Sequence, residues 1–339
     1  MRAPFLLLLL LLGSLSSGSA LAATFLIRPD GTGDLPTIQD GIDAADSGDV
    51  ISLADGTFRG PGNRGIDFHG KGITVESASG NASDCVIDSE LESRGFYFHS
   101  GESANATVRN ITITGGYDWT AGGVFAWNAS PTITGCVIEA NQSNGTWGAG
   151  IAFFGPGGRL EGTTVRGNWG AGEPVAVQAY NANVTIEDCL IVAAHGGSGL
   201  NVRNATTTVR NSTVAMNDVH GIVAASNGHV VVQNSIVAFN AWRAVNCTSN
   251  GSVSFSCSDV FGNGLGDWVG CISGQDTISN NLAEDPLFCN LTTLDFHLSA
   301  QSPCAPAQSV CGLVGALGVG CGPVSVDAAS WGRVKQMYR

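Results

Sequence analysis

Lysine is nearly missing from this chain: only Lys71 and Lys335 occur among 339 residues, and all Lys and Arg together number 15 against 28 acids. A surface with net charge −13 repels nucleic acid and anionic membranes, which excludes both as partners. Beyond residue 22 no apolar run is long enough to cross a bilayer, so a membrane span is excluded too. The ten cysteines include no Cys-x-x-Cys and no nearby paired histidines, the spacing a structural zinc site needs. Apolar residues in the middle of the chain lack helical spacing, and charged residues make up only 13%. With 47 glycines, that is the composition of a turn-dense all-β chain rather than a disordered one.

What the chain has is a repeat. A nine-residue motif reads VRNITITGG to Gly116, ITGCVIEAN to Asn141, LEGTTVRGN to Asn168, IEDCLIVAA to Ala194, VRNSTVAMN to Asn217, VQNSIVAFN to Asn240 and FSCSDVFGN to Asn263, its ends 25, 27, 26, 23, 23 and 23 residues apart. A period in the low twenties with short β-branched runs predicts a parallel β-solenoid of about nine coils. The third motif position, Asn110, Gly135, Gly162, Asp188, Asn211 and Asn234, holds residues that tolerate a left-handed turn. The next position forms a ladder of Cys85, Ile111, Cys136, Thr163, Cys189, Ser212, Ser235 and Ser258 expected to stack inside. Its cysteines lie two rungs, about 9.6 Å, apart, beyond the roughly 7 Å Cα limit for a disulfide, so they are expected as buried free thiols. The closing Asn141, Asn168, Asn217, Asn240 and Asn263 predict a second, amide ladder. Asn-x-Ser/Thr triplets, among them Asn81, Asn105, Asn183 and Asn290, fall mostly on turns and read as turn chemistry.

The ends differ from the middle. Residues 1–22 combine Arg2, a leucine run from Leu6 to Leu12 and Ala20-Leu21-Ala22, a signal peptide that implies a secreted, extracellular or cell-surface protein. Residues 23–49 read as a strand and a short capping helix with Ile38, Ile42 and Ala45 on one face; residues 50–265 carry the repeats. Cys247, Cys257, Cys271, Cys289, Cys304, Cys311 and Cys321 crowd around a C-terminal cap at residues 266–322, where export favours several disulfides and the odd count leaves at least one thiol over. Residues 323–339 form a basic tail.

The opening RPDGTGDLPTIQDGIDAADSGDVISLADGTF at residues 28–58 resembles the start of secreted right-handed parallel β-helix proteins of the pectin-lyase-like superfamily. EDPLFCNLTTLDFHLSAQSPC at residues 284–304 resembles the closing segment of bacterial β-helix repeat proteins of unassigned activity. The resemblance implies a right-handed parallel β-helix with a helical N-terminal cap and a disulfide-rich C-terminal cap, and leaves the activity open, since the superfamily hosts lyases, hydrolases, esterases and adhesins.

Its chemistries can be tried against residues. Hydrolases of that superfamily need several aspartates on one outward strand face, and only Asp218-Val219-His220 is reminiscent of them. Gln275-Asp276-Thr277 matches an esterase motif in letters but lies in the cap. A lyase needs a base plus Ca²⁺ or cationic groups; Arg203 or Arg243 would have to serve, with Asp118, Glu173 and Asp218 nearby. The strand after each bend, read at period two, points outward Phe125 and Trp127, Ala152 and Phe154, Ala176 and Gln178, Asn201 and Arg203, then Val223 and Ala225, which gives one arginine and no acid. The face offers aromatics instead. Trp119, Phe125, Trp127, Trp147, Phe154 and Trp169, with Gln178 and Arg203 as hydrogen-bonding groups, are the expected carbohydrate-binding residues, so the partner is an extracellular polysaccharide or cell-surface molecule. Non-catalytic glycan binding is the leading expectation and a polysaccharide lyase or hydrolase the alternative. No cofactor is expected, although the acids from Asp30 to Asp55 are of the oxygen-ligand type that Ca²⁺ takes.

Overall fold

The computed structural model describes residues 22–145, 147–170 and 175–321; the expected leader and basic tail lie outside the described residues. Three parallel sheets of ten, nine and eight strands run the length of a β-solenoid. The stack goes slightly past the nine coils expected, because Thr24–Ile27, ahead of the capping helix, adds a rung by pairing with Val50–Leu53.

Within a coil the chain passes from the ten-stranded sheet through a one-residue bend to the nine-stranded sheet, and then by a longer segment to the eight-stranded sheet. The bend residues Asn110, Gly135, Gly162, Asp188, Asn211 and Asn234 all have φ between 45° and 61°, the left-handed region that the motif required. Just inside, the small-residue ladder is buried, and its later rungs tie one to the next: Cys189 N–H donates to Ser212 Oγ at 3.1 Å, Ser212 N–H to Ser235 Oγ at 3.1 Å and Ser235 N–H to Ser258 Oγ at 3.2 Å. Cys85, Cys136 and Cys189 are free and buried, and burial pushes each thiol up to about 12. The amide ladder forms as well: Asn240 Nδ2 donates to Asn263 Oδ1 at 2.9 Å and Asn217 Nδ2 to Asn240 Oδ1 at 2.9 Å. Ala194 interrupts it, although its N–H still donates to Asn217 Oδ1. Beside this ladder Gly123 has no room for a side chain, since a Cβ would lie 2.3 Å from Gly150 O. The triplet asparagines serve turns: Asn183 Oδ1 accepts from Thr206 N–H, and Asn290 Oδ1 caps a short 3₁₀ turn.

Both ends of the core are covered. The helix Ile38–Ala44, capped by Thr37 Oγ1, buries Ile38 and Ile42 against the first coil. Its neighbouring acids make turns and caps: Asp34 accepts from Leu26 N–H, Asp49 from Ala23 and Asp46 N–H, and Asp40 from Thr37 Oγ1. At the far end Ile272 and Trp268 close the core, and Cys247–Cys271 pins that segment. Gln275 joins in by accepting from Phe255 N–H at 2.8 Å, so the Gln-Asp-Thr letters belong to structure here.

The rest of the cysteine-rich segment does something the sequence did not announce. Rather than extending the stack, it folds back along the outward face of the nine-stranded sheet, where Phe288, Phe296, Leu298 and Val314 pack with Leu190, Ala215 and Ile236. Gly315 N–H donates to Asn234 O, and Cys257–Cys311 and Cys289–Cys321 fasten it; Cys304 is the cysteine left free. Three disulfides fit an oxidising compartment.

Candidate functional site

The folded-back segment covers the far end of the nine-stranded sheet, and the ten-stranded sheet carries outward ion pairs such as Arg109–Glu76 and Arg159–Glu187; the outward face of the eight-stranded sheet is where aromatic side chains gather. Its strands are Ile66–Asp67, Phe96–Phe98, Val124–Trp127, Gly148–Phe154, Val175–Tyr180, Ser198–Arg203, Ile222–Ala225 and Val245–Thr248. Register stacks Asp67, Tyr97, Phe125, Ala152, Gln178 and Asn201 in one outward row, and Trp127, Phe154, Tyr180 and Arg203 in the next. Rungs about 4.8 Å apart put the rings in contact: Tyr97 stacks on Phe125 at 5.4 Å, Phe125 meets Phe154 edge-on at 5.4 Å, and Phe154 meets Tyr180 at 5.3 Å. Trp127 leans on Phe154 at 6.0 Å, while Trp147, from the adjoining bend, packs against both Phe154 and Tyr180. The result is a continuous aromatic track across four coils.

Not every expected residue is available on it. Phe125 and Gln178 are buried, because the bend carrying Ala121 folds over the face and packs with Phe125 and Ala152. Gln178 Nε2 donates to Ala179 O and Asn201 O, which leaves its amide committed to the backbone. Ala176 joins the core, since the strand bulges between Gly148 and Ile151 and shifts the alternation. Trp127 stays 52% exposed on the track, whereas Trp119, exposed at 68%, stands on a bordering loop and Trp169, at 47%, on the short strand Trp169–Gly170 of a small three-stranded sheet. Arg203 continues the Trp127 row, and its buried Nε has no hydrogen-bond partner among the described residues. Among the acids weighed for catalysis, Glu173 lies outside the described residues. Asp118 is paired with Arg94, and Asp218 lines a separate cavity of about 240 Å³ with Glu139, Arg166 and His195.

The face begins two coils earlier than the period-two reading took it, and those coils carry the ionisable groups that seemed missing. Asp67 is the outward residue of the first strand, with its carboxylate 3.0 Å from His69 Nδ1 and 2.9 Å from His99 Nε2. His69 Nε2 lies 3.3 Å from Asp43 Oδ1, on the capping helix. Gln39, one turn earlier on that helix, donates to Asp43 Oδ1 and accepts from Asp67 N–H, which binds the helix to the strand. The His99 ring stacks on Tyr97 at 4.1 Å, and the Arg94 guanidinium lies over the other rings, 4.4 Å from Tyr97 and 5.0 Å from Phe125. So the ionisable cluster abuts the aromatic track. Among the described residues no group of three or more His, Cys, Asp or Glu is arranged to hold a metal ion.

A family model described as right handed beta helix region matches residues 40–193 and, again, 123–283. Among solved structures, pectate lyase Pel9A is similar at 16% identity over 89% of this chain and 97% of that one, with a TM-score of 0.61. Pectin methylesterase from carrot is similar at 13% identity over 87% of this chain and 95% of that one, TM-score 0.41. An alginate lyase from Paenibacillus sp. str. FPU-7 shares 12% identity over 70% of this chain and 94% of that one, TM-score 0.38. No curated protein matches the chain. At these identities the likeness concerns the fold alone.

Proposed function

This chain belongs to the right-handed β-helix family, and we propose that it binds a polysaccharide outside the cell along the outward face of the eight-stranded sheet. The observation that carries this reading is the unbroken track of rings from Tyr97 through Phe125, Phe154 and Tyr180, with Trp127 half-exposed beside it. Sugar rings present apolar faces that stack on such rings, and a track running perpendicular to the strands suits a chain ligand rather than a single sugar. Arg203, in the row of Trp127 and with no carboxylate partner among the described residues, offers a donor fork for hydroxyl or carboxylate oxygens at the far end. The pectate lyase of similar fold is named for a polysaccharide, which accords with this class of ligand. The three disulfides accord with an extracellular setting, as does the leader-like pattern of residues 1–22.

The test is retention of the purified protein on a polysaccharide array, with the supernatants assayed for released sugars. Retention that Trp127→Ala weakens by about tenfold or more, about 1.4 kcal/mol, supports the reading. Equal retention of wild type and variant removes the track from the account.

A further inference from the structure

The cluster at the head of the track is built like a proton-transfer centre. Its four groups alternate in a line: Asp43 against His69, His69 against Asp67, Asp67 against His99, at 3.3, 3.0 and 2.9 Å. Asp67 is held from every side, since Gln39 takes its N–H and donates to its carbonyl, and two imidazoles share its carboxylate oxygen. Its side chain is only 17% exposed, so the carboxylate is fixed and partly desolvated. Both nitrogens of His69 face carboxylates, which makes it part of the support. His99 is different: its Nε2 is engaged by Asp67, its ring lies flat on Tyr97, and among the described residues nothing hydrogen-bonds its Nδ1. A histidine oriented by a buried-side carboxylate through one nitrogen, with the other nitrogen available, is the arrangement of a general base.

The choice of reaction follows from what stands near it. Cleaving a glycosidic bond by hydrolysis takes two carboxyl groups on opposite sides of that bond, whereas Asp67 is taken up by two imidazoles. Elimination beside a uronate carboxylate needs that carboxylate neutralised, and Arg94, the guanidinium that lies over Tyr97, is already paired with Asp118 and largely covered. Hydrolysis of an ester asks for a base and a water. Resting on the glycan-binding reading, we propose that His99 is the general base of an acyl-ester hydrolysis that removes O-acyl groups from the bound polysaccharide, with Asp67 as its positioning residue. His99 Nδ1 takes a proton from water as the water oxygen bonds to the acyl carbonyl carbon. The bond from that carbon to the sugar oxygen then breaks, its electron pair stays on the sugar oxygen, and the imidazolium returns the proton there. The products are a carboxylic acid and a sugar hydroxyl, with no oxidant or reductant involved.

Acetate release by the full chain is measured on an O-acetylated xylan and on glucose pentaacetate, a substrate too small to span the track. The proposal expects acetate from wild type with the xylan chain length unchanged, and a loss of about a hundredfold or more in His99→Gln. That variant remains bound to the polysaccharide. Asp67→Asn is expected to lower kcat with little change in KM and to alter the pH–rate profile, which loss of a purely structural contact does not do. Absence of acetate from both substrates, an undiminished rate in His99→Gln, or shortened or unsaturated chains as the product overturns it. Hydrolysis of glucose pentaacetate that depends on His99, without retention on any polysaccharide, keeps the catalytic centre and removes the binding reading alone.

Discussion

Asp259→Asn removes a carboxyl group that burial under the C-terminal segment pushes up to about 7. Asp259 sits at the outward position of the last strand of the nine-stranded sheet, in register with Ile236, where the folded-back segment excludes water. Its Oδ1 accepts from Glu284 N–H at 3.2 Å, and its Oδ2 from Cys304 Sγ at 3.5 Å. In the unfolded chain the same group titrates at its ordinary 3.8, so between 3.8 and about 7 the native state holds a proton that the unfolded state has lost. Stability therefore falls as pH rises through this window, and above about 7 the deprotonated native carboxylate carries the full cost of burial. At about 1.4 kcal/mol per pH unit the interval amounts to about 4 kcal/mol. Asparagine keeps the Oδ1 acceptor for Glu284, offers N–H groups toward Cys304, and does not ionise. Urea unfolding of oxidised wild type and Asp259→Asn from pH 4 to pH 8 isolates this group, because contributions from other carboxylates cancel in the difference. The variant is expected to gain on wild type as pH rises, by up to about 4 kcal/mol at pH 8. Parallel pH dependences, or a variant less stable than wild type at pH 8, would show that Asp259 bears no such burial cost.

Asn240→Ala strips the centre of the amide ladder and leaves Asn217 N–H and Val214 O without their partner, at an expected cost of about 2–4 kcal/mol in urea unfolding. Thiol titration of the unreduced protein is expected to find no rapidly reacting group in the native state and four after denaturation, from Cys85, Cys136, Cys189 and Cys304. Opening the Cys257–Cys311 link with Cys311→Ser is expected to raise hydrogen exchange at Gly315, whose N–H holds the folded-back segment to Asn234, while the early coils keep their protection.

The repeat was legible because every rung meets the same neighbours. A left-handed bend excludes most residues, and a buried ladder admits only small or amide side chains, so Asn110, Cys136 and Asn217 each announce their place. The proposed ligand face was legible only where the repeat is regular. Ile66 and Phe96 lie 30 residues apart in register and Phe96 and Val124 lie 28 apart, and these first strands are two and three residues long, so the motif does not reach them. A signal was nevertheless present: Asp67-Phe68-His69 and Tyr97-Phe98-His99 repeat one polar–Phe–His alternation at that spacing. Covering of Phe125 and Gln178 could not be read from period two, because it depends on how the bend through Ala121 leans onto the next coil. Nor could the fold-back, since Phe288 and Val314 pack beside Ile236, far away in sequence, rather than on the last coil.

The aromatic track is the proposed ligand-binding surface. Affinity electrophoresis through a gel cast with the polysaccharide retained best on the array tests it, comparing wild type with Trp127→Ala on the track and Trp242→Ala, an exposed ring five rungs away, about 24 Å along the axis. Retardation of wild type and Trp242→Ala together with free migration of Trp127→Ala is the expected result; equal retardation of all three, or loss only in Trp242→Ala, contradicts the claim.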